Sequence, residues 1–165
     1  MKKVWMIVSA ALLLTGCASA ETFETVSDEL VQPVVSQTGE IYVSVPDSAL
    51  TTVMEAEDGG RLYLCDGYTM TLQKLDGGDL NQTVRSLCGY DAQGVTVMQT
   101  TDGPWQRYEW VWVSAGEGGE ALGRAAVLDD GQCHYCLTVM ADARDASVLE
   151  PEWEAVFASF SIEEG

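Results

Sequence analysis

The sequence predicts an α+β domain over residues 41–165, in which an antiparallel β-sheet of about seven strands is packed by two amphipathic helices. Two observations support this fold class. From residue 41 onward, short segments alternate apolar and polar residues with the period of two that is typical of half-buried strands, and turns rich in Gly and Asp separate them. Two other segments space their apolar residues at helical intervals. Strands, a helix, more strands and a closing helix favour a sheet covered by helices.

Four strands are predicted before the first helix. Each alternates apolar and polar residues, and the interruptions are Pro46, the turn at 57–60 and the two glycines at 77–78. The predicted strands cover 41–45, 51–56, 61–65 and 68–75. Because residues 57–60 are Glu-Asp-Gly-Gly, we expect the second and third strands to form a hairpin.

The first helix is predicted directly after these strands. Asp79 is suited to its start, because an aspartate there accepts a hydrogen bond from a free N–H group of the first turn. Gly89 is suited to its end. The apolar residues between them fall at helical spacing: Leu80, Val84, Leu87 and Cys88. One face of this helix is therefore predicted to pack on the sheet.

Four more strands are predicted after this helix, as an antiparallel meander. They cover 95–100, 107–114, 120–128 and 132–140, and turns rich in Gly and Asp connect them. Residues 116–121 have the Gly-x-Gly-x-x-Ala spacing of a loose dinucleotide-binding fingerprint, but that motif requires a helix after it. Because a strand is predicted there instead, residues 116–121 are predicted to be a hairpin loop.

A second amphipathic helix is predicted over residues 150–160. Pro151 is suited to a first helical turn. The apolar stripe of this helix consists of Leu149, Trp153, Val156, Phe157 and Phe160. We expect this stripe to pack on the sheet and close the domain.

The order of these elements resembles the PsbP-like fold, a layered α+β sandwich. The residues that carry the resemblance are the late strand segment Cys133–Val139, the loop after it, and the closing helix segment Trp153–Phe160, which ends in a Ser-Phe pair. The resemblance covers residues 41–163 in layout, and its motifs are packing signatures. It implies a domain that acts by docking to larger assemblies. No catalytic set of that family can be matched to this chain.

The N-terminus has the organisation of an export signal. Lys2 and Lys3 precede an apolar run over residues 4–14, which is too short to span a bilayer as a helix. The run ends in Leu14-Thr15-Gly16-Cys17, which resembles the lipobox of bacterial lipoproteins. A plain signal peptide cleaved after Ala20 is the alternative.

The lipobox resemblance implies that residues 1–16 are removed and that Cys17 carries a diacylglyceryl group. Two acyl chains, such as palmitate, anchor a protein stably without a transmembrane helix. Residues 17–40 are polar and acidic, with no sustained apolar period, and are predicted to be a flexible tether. The domain would then lie on the extracytoplasmic face of the cell membrane, in the cell envelope.

The charge of the chain excludes nucleic-acid binding. The sequence has 8 basic and 26 acidic residues, and two of the basic residues precede Cys17. From Cys17 onward the chain therefore carries 6 basic and 26 acidic residues, a formal charge of −20. Binding to nucleic acids is driven by Lys and Arg side chains that neutralise phosphates, so such a chain repels them.

Four cysteines remain once Cys17 is assigned to the lipid: Cys65, Cys88, Cys133 and Cys136. In an exported chain they can form disulfides, with three complete pairings, or remain buried thiols. A four-cysteine zinc site and a redox role for the Cys-x-x-Cys pair are further alternatives. On a straight strand the Cα atoms of Cys133 and Cys136 are roughly 10 Å apart. This exceeds the reach of about 7 Å for a disulfide, so these two are not predicted to pair without a bulge.

His134 is the only histidine in the sequence, so histidine-dependent catalysis has to use it. A lone histidine in a strand is predicted to be structural. The acidic pairs Asp129-Asp130 and Asp142 with Asp145 do not have the spacing of an EF-hand loop, and they are predicted to lie in solvated turns. No metal and no cofactor are predicted.

The densest aromatic run places Tyr108, Trp110 and Trp112 on one face of a predicted strand. The residues are predicted to form the core between sheet and helix. If this face is open, they form a binding surface for a ligand or glycan, because flat rings bind at little cost in side-chain entropy.

The function that these patterns favour is a non-enzymatic, membrane-tethered interaction domain that docks to an unknown protein or envelope component. Two alternatives remain. One is an enzyme of unknown reaction that uses His134 with nearby carboxylates or thiols. The other is a small lipoprotein that captures a ligand.

Overall fold

The structure, a computed structural model, describes residues 39–49, 51–55, 60–116 and 118–163. The signal peptide, Cys17 and nearly all of the proposed tether lie outside the described residues. Among the described residues, no helix is long and apolar enough to cross a membrane.

The described chain contains nine strands, two α-helices and one short 3₁₀ turn. In chain order these are β1 (Glu40–Tyr42), β2 (Thr51–Glu55), β3 (Arg61–Cys65), β4 (Tyr68–Asp76), α1 (Leu80–Cys88), the 3₁₀ turn (Ala92–Gly94), β5 (Met98–Asp102), β6 (Trp105–Gly116), β7 (Gly119–Asp129), β8 (Cys133–Asp142), α2 (Ala146–Ser159) and β9 (Ser161–Glu163).

Seven of the strands form one antiparallel sheet in the order β2-β3-β4-β8-β7-β6-β5. The prediction of an α+β fold with a sheet of about seven strands and two helices is confirmed. The meander of the last four strands is confirmed as well, because β5, β6, β7 and β8 are neighbours in sequence and in the sheet. Gly116 at the end of β6 pairs with Gly119 at the start of β7, so the loose fingerprint is followed by a strand and not by a helix.

Two apolar layers lie on opposite faces of this sheet. The α2 face carries the larger one, in which Trp153, Val156 and Phe157 of α2 cover the central strands. The α1 face carries a smaller layer, in which Val84 of α1 packs near Trp110 of β6. Because strand residues alternate between faces, odd-numbered residues of β8 face α2 and even-numbered ones face α1.

The ends of α1 follow the predicted capping chemistry. The Asp79 carboxylate accepts a hydrogen bond from the Asn81 N–H at 2.9 Å, and Gly89 ends the helix with φ of +78°, a conformation that favours glycine. The side chain of Thr83 in this helix is turned toward the sheet. Its hydroxyl group contacts the imidazole of His134 in β8.

Three element boundaries differ most from the predictions. The first strand is only Glu40–Tyr42, and it pairs with β9, a strand that was not predicted. The strand predicted at 95–100 begins at Met98, because the preceding residues pack against the α1-side core. Helix α2 begins at Ala146 instead of residue 150, so Pro151 lies inside the helix and not in its first turn. Pro151 is exposed, and its missing N–H removes only one helical hydrogen bond.

Candidate functional site

His134 is sealed between the sheet and α1. The side chain is 1% exposed, and its Nδ1 lies 2.7 Å from the Oγ1 of Thr83 in α1. On the other side of the ring, Nε2 lies 3.6 Å from the Asp129 carboxylate and has no hydrogen bond. The hydroxyl, imidazole and carboxylate are ordered as in a nucleophilic triad, but Thr83 is buried as well. The contact joins α1 to the sheet and offers no surface to a substrate.

The four described cysteines, Cys65, Cys88, Cys133 and Cys136, are free thiols in this structure. Cys133 packs on the α2 face and Cys136 on the α1 face, as expected for residues three apart on a strand. Burial raises the pKa of Cys136 to about 12, and burial also raises that of Cys65. Thiols with raised pKa values are poor nucleophiles at neutral pH.

The aromatic residues of β6 form core and not a binding platform. Trp110 and Trp112 are buried, and Tyr108 packs against the same cluster under α1. A Cβ atom added at Gly123 of β7 would lie 2.3 Å from carbon atoms of the Trp112 ring. The indole therefore lies directly across this glycine. The interpretation of Tyr108, Trp110 and Trp112 as a binding surface is corrected accordingly.

The carboxylates of the acidic turns bind groups of their own turn or of the strand beside it. The Asp130 carboxylate accepts from the Cys133 N–H at 2.6 Å and from the Tyr135 hydroxyl at 2.9 Å. Burial opposes ionisation of Asp130, but these hydrogen bonds outweigh it and lower its pKa. Asp142 forms an ion pair with Arg144 at 2.5 Å. In the part of the chain that the structure describes, no group of three or more His, Cys, Asp or Glu residues could hold a metal ion.

A second polar cluster ties α2 to β4. The Tyr68 hydroxyl donates to the Glu152 carboxylate at 2.7 Å, and the Ser48 hydroxyl donates to the same oxygen. Burial and the neighbouring carboxylate raise the pKa of Tyr68. The shallow depression beside it, about 390 Å³, is lined mainly by the ends of β4 and β8. The cluster anchors the helix and the 43–49 segment, and its hydroxyls are already committed to Glu152.

Partly buried charges hold the C-terminal half of α2 on the sheet. The Glu109 carboxylate accepts from Arg107 at 2.7 Å and from Arg124 at 3.0 Å. Arg107 also donates to the backbone oxygen of Phe157 at 2.8 Å, and the Arg124 guanidinium lies 4.2 Å from the Phe157 ring centre. Burial opposes ionisation of Glu109, but the two arginines lower its pKa overall.

An exposed apolar strip lies on the α2 face beyond the helix. We define this strip as Met98 of β5 with Val111 and Val113 of β6, which are 60%, 57% and 47% exposed. Met98 is the first residue of β5 and lies opposite Glu109 of β6. The strip therefore runs from the N-terminal end of β5 to the part of β6 that follows Glu109. Helix α2 covers the centre of the sheet, and the strip lies toward its β5 edge.

Every basic side chain of the described residues is engaged within the domain. Arg85, Arg107, Arg124 and Arg144 are in ion pairs, Arg61 donates to the Ile41 carbonyl at 2.8 Å, and Lys74 lies over the Tyr135 ring. Among the described acidic residues, the ones in ion pairs are Asp91, Asp102, Glu109, Asp129, Asp142 and Glu154, so acidic side chains without such a partner outnumber them. The surface field is therefore strongly negative.

The comparisons with known proteins give structural matches only. No family model matches the chain, and no curated protein sequence matches it. The solution structure of cyanobacterial PsbP (CyanoP) from Synechocystis sp. PCC 6803 matches with a TM-score of 0.51 and 10% identity, over 77% of this chain and 94% of that one. The fold is PsbP-like.

Two further structures are similar to parts of this PsbP-like domain. A protein from Bacteroides thetaiotaomicron VPI-5482 has a TM-score of 0.50 and 11% identity, over 76% of this chain and 49% of that chain. LpqN, involved in cell envelope biogenesis of Mycobacterium tuberculosis, has a TM-score of 0.49 and 16% identity, over 75% of this chain and 84% of that chain. At these identities the likeness is one of fold alone.

Sequence reasoning missed two features of the molecule. Thr83 lies beside the apolar stripe of α1 in sequence, and nothing in the spacing indicated that it meets His134. The apolar strip was also missed, although the alternation of residues along β6 indicates which of its side chains face away from α1. Because Trp110 and Trp112 face the core under α1, Val111 and Val113 must face the other side. Whether α2 covers them depends on the path of that helix across the sheet.

Proposed function

We propose that this protein is exported and anchored by a lipid at Cys17, and that its PsbP-like domain binds another protein at the cell envelope without catalysing a reaction. The N-terminal sequence supports export and anchoring, as argued from the lipobox resemblance. The surface of the domain supports binding. The buried state of His134 argues against the enzyme alternative, since a substrate has no access to the imidazole.

The observation that carries the proposal is the apolar strip. Single exposed apolar residues are common on protein surfaces and need no explanation, whereas contiguous ones mark interaction sites. Met98, Val111 and Val113 are contiguous, because they follow one another across paired strands on one face.

Site-specific crosslinking on intact cells tests this proposal. A photoreactive amino acid replaces Val111, and the matched control places it at Val148, which is 80% exposed on α2 and outside the strip. We expect a discrete crosslinked product from position 111 and none from position 148. With the partner identified, Val111→Glu should weaken binding at least tenfold and Val148→Glu less than twofold. Equal crosslinking from both positions, or none from position 111, would contradict the proposal.

A further inference from the structure

We propose that β6 accepts an extended, basic segment of the partner protein as an added β-strand, along the edge from Val111 to Ala115. This inference rests on the proposed function, because it assigns the binding mode and the chemistry of the partner to the same part of the molecule. Three observations carry it: the length by which β6 exceeds β5, the direction of the β6 backbone groups, and the balance of charge.

Strand β6 continues well past the end of its neighbour. The β5–β6 register ends at Met98 and Glu109, while β6 continues to Gly116. Among the described residues, the rest of β6 has a strand neighbour only on the β7 side. The edge from Val111 to Ala115 is five residues long, about 17 Å by the usual strand rise. That is an ordinary strand length, so a peptide of five to six residues fits it.

The backbone groups of this edge face outward. The two-residue turn at 103–104 closes on the pair Asp102 and Trp105, so alternate residues from Trp105 onward exchange hydrogen bonds with β5. The same alternation turns the N–H and C=O groups of Val111, Val113 and Ala115 away from β7.

A side-chain contact agrees with this direction. The Tyr90 hydroxyl donates to the Val113 carbonyl at 2.9 Å. An added strand would displace this contact, and because Tyr90 is itself exposed its hydroxyl can turn to water instead.

The edge lacks the usual protection against pairing. Exposed edges are normally guarded by lysine, proline or a bulge, and residues 110–116 are Trp-Val-Trp-Val-Ser-Ala-Gly in regular register with β7. The side chains of Val111 and Val113 stand exposed beside the edge. An added strand would gain backbone hydrogen bonds and would place alternate side chains against the apolar strip, as in other cases of strand addition.

Charge selects a basic segment as the occupant. Glu120 is exposed, pairs with Ala115 at the end of the edge, and has no ion pair within the described part of the chain. Arg124, which lies opposite Val111 on β7, is already paired with Glu109 and Glu154, so it leaves no unpaired positive charge beside the edge. A second copy of this chain would bring another charge of −20, and the acidic residues 18–38 would also be repelled. A segment rich in Lys or Arg is attracted and can pair with Glu120.

The test uses the full-length protein in detergent and a labelled seven-residue peptide of alternating lysine and valine. We expect saturable binding by fluorescence anisotropy, which weakens as salt increases from about 50 to about 200 mM. The same peptide with glutamate in place of lysine should not bind. Equal binding of the acidic peptide would overturn the assignment of a basic partner.

A matched pair of variants tests the backbone pairing. Val113→Pro removes one outward N–H at a position where an edge strand tolerates proline, and should weaken peptide binding at least tenfold. Val113→Thr keeps the N–H and the branched side chain, and should change binding less than threefold. A circular dichroism spectrum equal to that of the wild type verifies the fold of both.

N-methylated peptides test the backbone pairing without any change in the protein. N-methylation of the peptide amides that face β6 should abolish binding, and N-methylation of the alternate set should preserve it. Equal effects of the two sets would overturn strand addition, while position-specific crosslinking at Val111 would still support the proposed function. Dimers in sedimentation experiments that Val113→Pro dissociates would identify a second copy as the occupant and overturn the proposal.

Discussion

Glu109 shows how a single carboxylate can organise one corner of the domain. It lies between Arg107 and Arg124, and both arginines in turn contact Phe157 of α2. Removing this carboxylate leaves each partly buried guanidinium with one more exposed partner, Asp102 for Arg107 and Glu154 for Arg124, so their charges are less well compensated. The side chain of Glu109 is 18% exposed, so solvent screens part of this cost.

Glu109→Gln should therefore destabilise the protein at neutral pH by about 1–3 kcal/mol. The pKa of Glu109 is lowered in the folded state. Its contribution to stability is therefore fully present above the glutamate pKa of the unfolded chain, and it is lost as pH falls from there through the lower pKa of the folded state. The variant should lose less stability than the wild type between pH 6 and pH 4, about the range where unfolded glutamate titrates. Urea unfolding at both pH values measures this.

The control for Glu109→Gln is Glu40→Gln, which changes an exposed glutamate without an ion pair in the described residues. Its stability should follow that of the wild type at each pH. If Glu109→Gln showed the same pH dependence as the wild type, the arginines would not be what holds the pKa of Glu109 down.

Helix α2 and Phe160, the residue that follows it, carry a large share of the core on one face of the sheet. Trp153, Val156, Phe157 and Phe160 are buried on the central strands. Each such side chain contributes roughly 1.5–3 kcal/mol, so the four together amount to about 6–12 kcal/mol. This equals the entire stability of an ordinary domain.

Truncation after Glu150 should therefore abolish cooperative unfolding. The matched control ends at Phe160, which removes β9 and keeps the buried stripe of α2. We expect this longer chain to melt cooperatively with a midpoint lowered by a few degrees, since only the β1–β9 pair is lost. Calorimetry of both truncated chains shows whether each one unfolds cooperatively and at which temperature. A chain ending at Glu150 that still melted cooperatively at the wild-type temperature would show that the helix does not close the core.

The elements that the sequence predicted are those with a local physical signal. Helix α1 is bounded by Asp79 and Gly89, whose capping chemistry needs no distant contact. The pairing of β1 with β9 joins three-residue strands across most of the domain, so its signal is not local. The start of α2 was missed because Pro151 is typical of a first turn, whereas packing of Ala146 extends the helix by another turn.

At the scale of the whole molecule, the domain and its N-terminal segment contribute different parts of the proposed function. The domain supplies a negative surface with one apolar strip at a sheet edge. In the proposal the leader and Cys17 supply the location, and both are inferred from the sequence alone. The binding strip could not be predicted in the same way, because its exposure depends on how seven strands and α2 are arranged in space.

The proposed location depends on a single thiol, so Cys17→Ala is the decisive change for testing it. Without the sulfur there is no site for the diacylglyceryl group, and the protein should move from the membrane fraction to the soluble extracytoplasmic fraction or the medium. Cys88→Ala is the matched control, because it removes a free thiol of the folded domain and should leave the protein in the membrane fraction. Fractionation with metabolic fatty-acid labelling measures both variants. Lipid label that persists in Cys17→Ala, or a wild-type protein without label, would contradict anchoring at this residue. Crosslinking from position 111 in the released Cys17→Ala protein should fall to background, because the envelope partner is then encountered only by free diffusion and no longer within reach of a tether.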